Sequence, residues 1–273
     1  MPTVSISGGE TIWFKKTGSG APLLHIHGSA FGWRNFEKMT PFMAPHFETI
    51  DIDLPGYGES TLGPNGPRPG GMAGIADQVA ETISALGYPK ISIHGTSYGA
   101  MIALTLTARH PELVDKLVLS CFLCRYDQAA REMRATWKRA ARESGMAAVA
   151  DLTSVAGFAR SFYERPGAQA QLQAMRDAFC KNTPEAMIAG TESIEKADIT
   201  PYISQIKAPV LLIGGDEDNM TPFRPAQSGV GFAQIKEMRP EWKMVVLEKC
   251  GHYLVIEQPE NASEHIIPFL KRG

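Results

Sequence analysis

The sequence predicts an α/β protein: a doubly wound, mostly parallel sheet with an inserted all-helical cap. Three observations predict it. Strand-like and helix-like segments alternate over residues 22–120, the pattern of βαβ crossovers in a parallel sheet. Gly95-Thr96-Ser97-Tyr98-Gly99 joins an apolar strand to an apolar helix with a glycine two residues to either side of a serine. Over residues 127–196 only helical signals appear, and strand character returns at Ala208. A simple crossover unit uses about 30 residues, so the surplus reads as an insertion.

The elements follow in order. Residues 4–16 alternate around Gly8-Gly9, which predicts an opening hairpin. Residues 22–28 form a buried strand running into a turn, and residues 33–44 have helical spacing that stops at Pro45. Residues 47–54 are the next strand. It ends in Pro55-Gly56-Tyr57-Gly58-Glu59-Ser60, where Asp53 and Ser60 read as turn formers. A Gly- and Pro-rich loop at 62–71 precedes a helix over 72–86 closed by Gly87. The elbow strand (90–94), the apolar helix (101–108) and another strand (114–120) come next. The cap contributes helices at 130–142, 147–163, 168–179 and 184–195. Strands at 208–214 and 242–248 and a helix at 260–271 complete the sheet. The expected organisation is a core over 1–122, a helical cap over 123–205 and the rest of the core over 206–273.

Composition excludes several classes. Hydrophobic residues make up 44% and charged residues 21%, with a net charge of −2, which suits a globular enzyme and offers no basic stripe for nucleic acid. No apolar run reaches the roughly 18 residues of a membrane span. Met1-Pro2-Thr3-Val4-Ser5 lacks a basic start and an apolar segment behind it, so a cytoplasmic setting is expected. The expected partner is a small-molecule substrate, with no nucleic acid and no membrane; a homo-oligomer stays open. Cys121-Phe122-Leu123-Cys124 has C-x-x-C spacing without a second pair or clustered histidines, and reads as ordinary reduced thiols. No metal or cofactor is called for.

Chemistry gathers at strand ends. A serine hydroxyl needs a base, and the base needs an orienting carboxylate. Ser97 sits in a G-x-S-x-G elbow, whose flanking glycines relieve the collision a tight strand-to-helix turn creates. Beyond the 208–214 strand, Gly215-Asp216-Glu217-Asp218 supplies acids, and beyond the last strand Cys250-Gly251-His252 supplies an imidazole. Ser97, Asp218 and His252 are therefore the expected catalytic set, with Asp216 as the alternative carboxylate. An oxyanion hole needs two backbone N–H donors. Tyr98, at the helix start, gives one, and Ser29 in His27-Gly28-Ser29-Ala30 is the candidate for the other, with Ala30 its alternative. Ala30, Trp33, Phe122, Trp137, Phe162, Met220 and Tyr253 are the pocket candidates, together with Phe31 and Tyr98, and they suggest a largely hydrophobic acyl or aryl substrate.

Taken together, His27-Gly28, Asp53-Leu54-Pro55-Gly56-Tyr57-Gly58-Glu59-Ser60, the Ser97 elbow, Gly215-Asp216-Glu217-Asp218 with Pro222, and Gly251-His252 resemble the α/β-hydrolase superfamily. The resemblance implies that fold and a Ser97–Asp218–His252 triad. Serine at the elbow sets the chain apart from the haloalkane dehalogenase and epoxide hydrolase branches, which carry aspartate there. Asn182-Thr183-Pro184-Glu185 and the 203–209 re-entry look like 3-oxoadipate enol-lactonases and related esterases. The run 28–36 with Lys249-Cys250-Gly251-His252 looks like carbon–carbon hydrolases of ring meta-cleavage products, although Ser29-Ala30-Phe31 replaces their glycine-rich run and Tyr98 departs from both groups. The expected activity is hydrolysis of an ester or lactone through an acyl-enzyme. The alternatives are carbon–carbon hydrolysis and a ligand-binding receptor that keeps the fold.

Overall fold

In the computed structural model, which describes residues 2–272, β1 (Thr3–Ser5) and β2 (Thr11–Thr17) make the expected hairpin. β3 (Pro22–Ile26) follows, buried along nearly its whole length. Residues 33–44 do not form one helix. They split into a 3-10 turn, Gly32–Phe36, and the short α1 (Thr40–Met43). Pro41 has no N–H for a bond to the preceding turn. The Trp33 N–H is also committed elsewhere, donating to Asp53 Oδ1 at 2.7 Å.

β4 (Glu48–Ile52), α2 (Gly71–Ala85), β5 (Ile91–Thr96), α3 (Tyr98–Arg109) and β6 (Val114–Ser120) continue the alternation. α3 is buried from Tyr98 to Thr107, as a helix between sheet and outer helices must be. The insertion then rises as α4 (Gln128–Gly157), α5 (Ala168–Phe179) and α6 (Pro184–Lys196). Asp127 caps α4 by accepting the Ala130 N–H, and Thr183 caps α6 by accepting the Ala186 N–H. Gly145, at φ 79°, breaks α4 in two. The second half stops at Gly157 rather than running to residue 163, because the Gly157 carbonyl accepts the His252 N–H at 2.6 Å. A side chain there would also meet the Tyr253 ring at 2.4 Å. A 3-10 turn, Arg160–Glu164, replaces the expected helical end.

β7 (Val210–Gly215), α7 (Phe232–Met238), β8 (Lys243–Leu247), α8 (Leu254–Glu257) and α9 (Pro259–Lys271) close the fold. The eight strands form a single sheet, ordered β1-β2-β4-β3-β5-β6-β7-β8. β2 runs antiparallel to β1 and β4, and the remaining pairs are parallel. The chain is thus α/β with a doubly wound, mostly parallel sheet and a helical insert. One core packs α2 and α3 on one face, and a second packs α1 and α9 on the other. A third cluster joins Trp137, Phe162 and Phe179 of the insert to Phe31, Met220 and Tyr253 at the sheet edge. No helix among the described residues is long and apolar enough to cross a membrane.

Candidate active site

The parallel strands β3, β5, β7 and β8 deliver their following loops to one edge of the sheet, and the candidate residues lie in those loops. Ser97 follows β5 with φ 55° and ψ −115°, a conformation that costs energy for any residue with a side chain. Its surroundings enforce it. The Ser97 N–H donates to the Ser120 carbonyl at 2.8 Å. A Cβ on Gly95 would lie 2.4 Å from the Gly99 carbonyl oxygen, and one on Gly99 would lie 2.0 Å from that of Ile26. The two flanking glycines therefore let strand and helix close around the turn, and the serine is thrown out above the edge.

Asp218 and His252 meet across the β7 and β8 loops. His252 Nδ1 lies 3.0 Å from Asp218 Oδ2 and 3.2 Å from Oδ1. Asp218 Oδ1 also accepts the N–H groups of Met220 and Thr221, and the Thr221 hydroxyl donates to Oδ2 at 2.6 Å. Burial alone would raise the Asp218 pKa; the His252 imidazole and the Thr221 bonds outweigh it and hold the carboxyl below its ordinary value. With Nδ1 turned to the carboxylate, Nε2 is the nitrogen on the opposite side of the ring. Asp216 stands elsewhere: it is exposed, and its Oδ1 accepts the Cys250 N–H.

The loop after β3 is pinned from both sides. The Gly28 N–H donates to Asn35 Oδ1 at 2.8 Å, and the Ala30 carbonyl accepts Asn182 Nδ2–H of the insert at 2.8 Å. His27 holds the base of the loop, with Nδ1–H to the Gly28 carbonyl and Nε2 accepting the Leu54 N–H. Burial lowers the His27 pKa, which suits the neutral ring that accepting this bond requires. Since the Gly28 N–H is engaged, the N–H groups of Ser29 and Ala30 are the candidates in this loop for an oxyanion donor. Tyr98, first residue of α3, has an N–H with no partner inside its own helix.

Ser97, His252, Ser29, Ala30, Phe31, Trp137, Met220 and Tyr253 line one narrow cavity of about 20 Å³. That is little more than one water requires, so a substrate enters only if side chains or the insert rearrange. Trp33, Phe122 and Phe162 lie away from this cavity. Trp33 turns outward and stacks on Trp13 at 5.3 Å. Phe122 packs in the core against Phe232, with ring centroids 5.6 Å apart. Phe162 stacks on Phe158 at 3.9 Å inside the insert. The Tyr98 side chain lines a separate cavity of about 520 Å³ with Tyr57 and Gly190.

Sequence reasoning did not find Asn35, Thr221 or Arg134. Arg134 is 2% exposed and lines the narrow cavity from α4. Its Nη2 donates to the Tyr126 hydroxyl at 2.8 Å, while Nε and Nη1 have no partner among the described residues. The guanidinium rests near the rings of Tyr126 and Trp137, at 4.8 and 5.2 Å. Such contacts are worth about 2 kcal/mol when desolvated, against several kcal/mol for burying the charge. The signal was present as an arginine inside the buried stripe Ala130, Arg134, Trp137, Ala141.

Cys121, Asp218 and His252 bring potential metal-ligand atoms within 4.8 Å of one another. Burial pushes the Cys121 thiol up, with the Asp218 charge adding to it, and the Asp218 and His252 atoms of this group are already bonded to each other. Cys121 and Cys124 are free thiols.

The profile of the alpha/beta hydrolase family matches residues 23–264. A pimeloyl-(acyl-carrier protein) methyl ester esterase of Neisseria meningitidis is 30% identical over 264 residues, covering 91% of this chain and 92% of that protein. A 2-hydroxy-6-oxo-2,4-heptadienoate hydrolase of Pseudomonas putida is 23% identical over 261 residues, covering 93% of this chain and 90% of that one. Among solved structures, the enol-lactonase of Burkholderia xenovorans LB400 superposes with a TM-score of 0.86 at 21% identity, over 99% of this chain and 100% of that one.

Proposed function

The chain belongs to the alpha/beta hydrolase family, and from that premise we propose that it is a serine hydrolase cleaving a carboxylic ester or lactone of a small, largely hydrophobic substrate. The observation that carries the reading is the Asp218–His252 contact beside a cavity that His252 shares with the strained Ser97. In this reading residues 123–205 form the cap that shapes the substrate site.

His252 Nε2 takes the Ser97 hydroxyl proton as Oγ attacks the substrate carbonyl carbon. The resulting oxyanion is held by the Tyr98 N–H and by that of Ser29 or Ala30. The C–O bond breaks, and the proton passes from His252 to the leaving alcohol, which stays tethered if the substrate is a lactone. Water then gives a proton to His252 and attacks the acyl-enzyme, releasing the acid and restoring Ser97. Asp218 orients the ring and stabilises the imidazolium throughout. The test is turnover of 4-nitrophenyl butyrate and a simple lactone by wild type and Ser97→Ala. A loss of at least about a thousandfold with unchanged folding is expected; near-normal turnover by the variant would refute the assignment.

A second reading, carbon–carbon hydrolysis of a dienoate, draws on the similarity to the Pseudomonas putida protein. A dienoate assayed beside the esters separates the two. Binding without turnover of any of these would favour a receptor that keeps the fold.

A further inference from the structure

Arg134 carries a formal charge yet is only 2% exposed. No other arginine, lysine or carboxylate side chain is among the described residues lining the narrow cavity, and no carboxylate pairs with Arg134 among them. Tyr126, its single hydrogen-bond partner, is neutral, because burial pushes its hydroxyl up. Asp218 is already committed to His252 and Thr221. The guanidinium thus presents unpartnered donors on Nε and Nη1 in the cavity that holds Ser97, while the walls beside it, Trp137, Val149, Phe179 and Met187, are apolar. A buried charge with free donors calls for an anion from outside the chain. One guanidinium matches one carboxylate in charge and planarity; a phosphate dianion would leave negative charge unbalanced against apolar walls.

We propose that Arg134 docks a carboxylate carried by the substrate, so that the enzyme takes acid-bearing esters or lactones with the acid held under the cap and the scissile carbonyl at Ser97. This deepens the hydrolase reading and rests on it.

Two esters with six-carbon acyl chains make the test: 4-nitrophenyl hexanoate and the mono-4-nitrophenyl ester of adipic acid. Wild type is expected to favour the adipate monoester in kcat/KM by about tenfold to hundredfold, the size of a charge-assisted contact. Arg134→Met should collapse that ratio, chiefly through KM, and Arg134→Lys should restore part of it. A merely structural role for Arg134 would lower both esters together and leave the ratio intact, which overturns the proposal. So does a wild type with no preference, a measurement that stands even if the Met variant fails to fold. Titration of free adipate into Ser97→Ala separates the two readings. Adipate binding that disappears in Ser97→Ala/Arg134→Met supports the anion site even if neither ester turns over. Turnover of both esters without preference or adipate binding leaves the hydrolase reading standing and the anion site refuted.

Discussion

At the sheet edge, backbone presses on backbone; in the helical insert, side chains press on side chains. A Cβ on Gly99, Gly215 or Gly251 would lie 2.0 to 2.1 Å from a carbonyl oxygen, so the loops bearing Ser97, Asp218 and His252 have no room for adjustment. Within the insert, a Cβ on Gly145 or Gly167 would meet nothing within 4 Å. Its grip on the edge is backbone to backbone at Gly157, whose carbonyl accepts the His252 N–H and crowds Gly251; elsewhere it rests on side chains, as in Phe31–Phe179 at 4.7 Å and Phe158–Tyr253 at 5.0 Å. The difference teaches a division of labour. Under the proposed function, the reacting groups are placed by geometry that tolerates no substitution, while the surface that would choose the substrate is held mainly by packing that can be repacked.

The sharpest way to break this comparison is Gly99→Ala. The added methyl has only backbone to displace, so a loss of at least about 4 kcal/mol is expected, seen as a collapsed thermal melt. A variant that melts like wild type would mean the edge is softer than argued.

A smaller effect is expected where the two regions are joined. Glu257 Oε2 accepts the N–H groups of Gly251, beside His252, and of Ala159, in the insert, and Arg165 reaches Oε1. Burial raises the Glu257 pKa above its ordinary value, the two N–H bonds and Arg165 opposing. The native state therefore holds the proton to higher pH than the unfolded chain does. Stability from this group is full below its ordinary pKa of about 4.5 and is lost as pH rises through the raised value. Glu257→Gln keeps an acceptor and cannot ionise. The melting temperature of wild type should fall relative to this variant as pH rises from acid to neutral. A gap that does not change with pH would contradict the linkage.

The smallest effect is the counterpart of the first. Gly145→Ala faces open space and is strained only by its φ of 79°, so about 1 kcal/mol is expected. If Gly145→Ala proved as damaging as Gly99→Ala, the two regions would not differ as described.

The same contrast separates what the sequence disclosed from what it did not. Glycines two residues either side of Ser97, and acid and imidazole just past strands, are local patterns forced by backbone, and they placed Ser97, Asp218 and His252 at one edge. Residues 33–44 misled, because helical spacing could not show that Trp33 and Asn35 brace neighbouring turns, nor that Pro41 would interrupt the run. Phe122 misled for another reason. Nearness to a strand end says nothing about the face a side chain takes, and Phe122 points into the core while its neighbour Cys121 turns toward Asp218. Arg134 stands in the buried stripe of α4, a local signal that went unread; which cavity that stripe faces depends on what the insert covers.

The central claim is that Ser97 is an activated nucleophile, and covalent labelling tests it most directly. A fluorophosphonate should transfer its phosphonyl group to the serine oxygen with loss of fluoride, giving one adduct per chain on the peptide containing Ser97. His252→Ala should abolish the labelling. An unmodified Ser97 in protein that still turns over ester, or an adduct on another residue, would contradict the account.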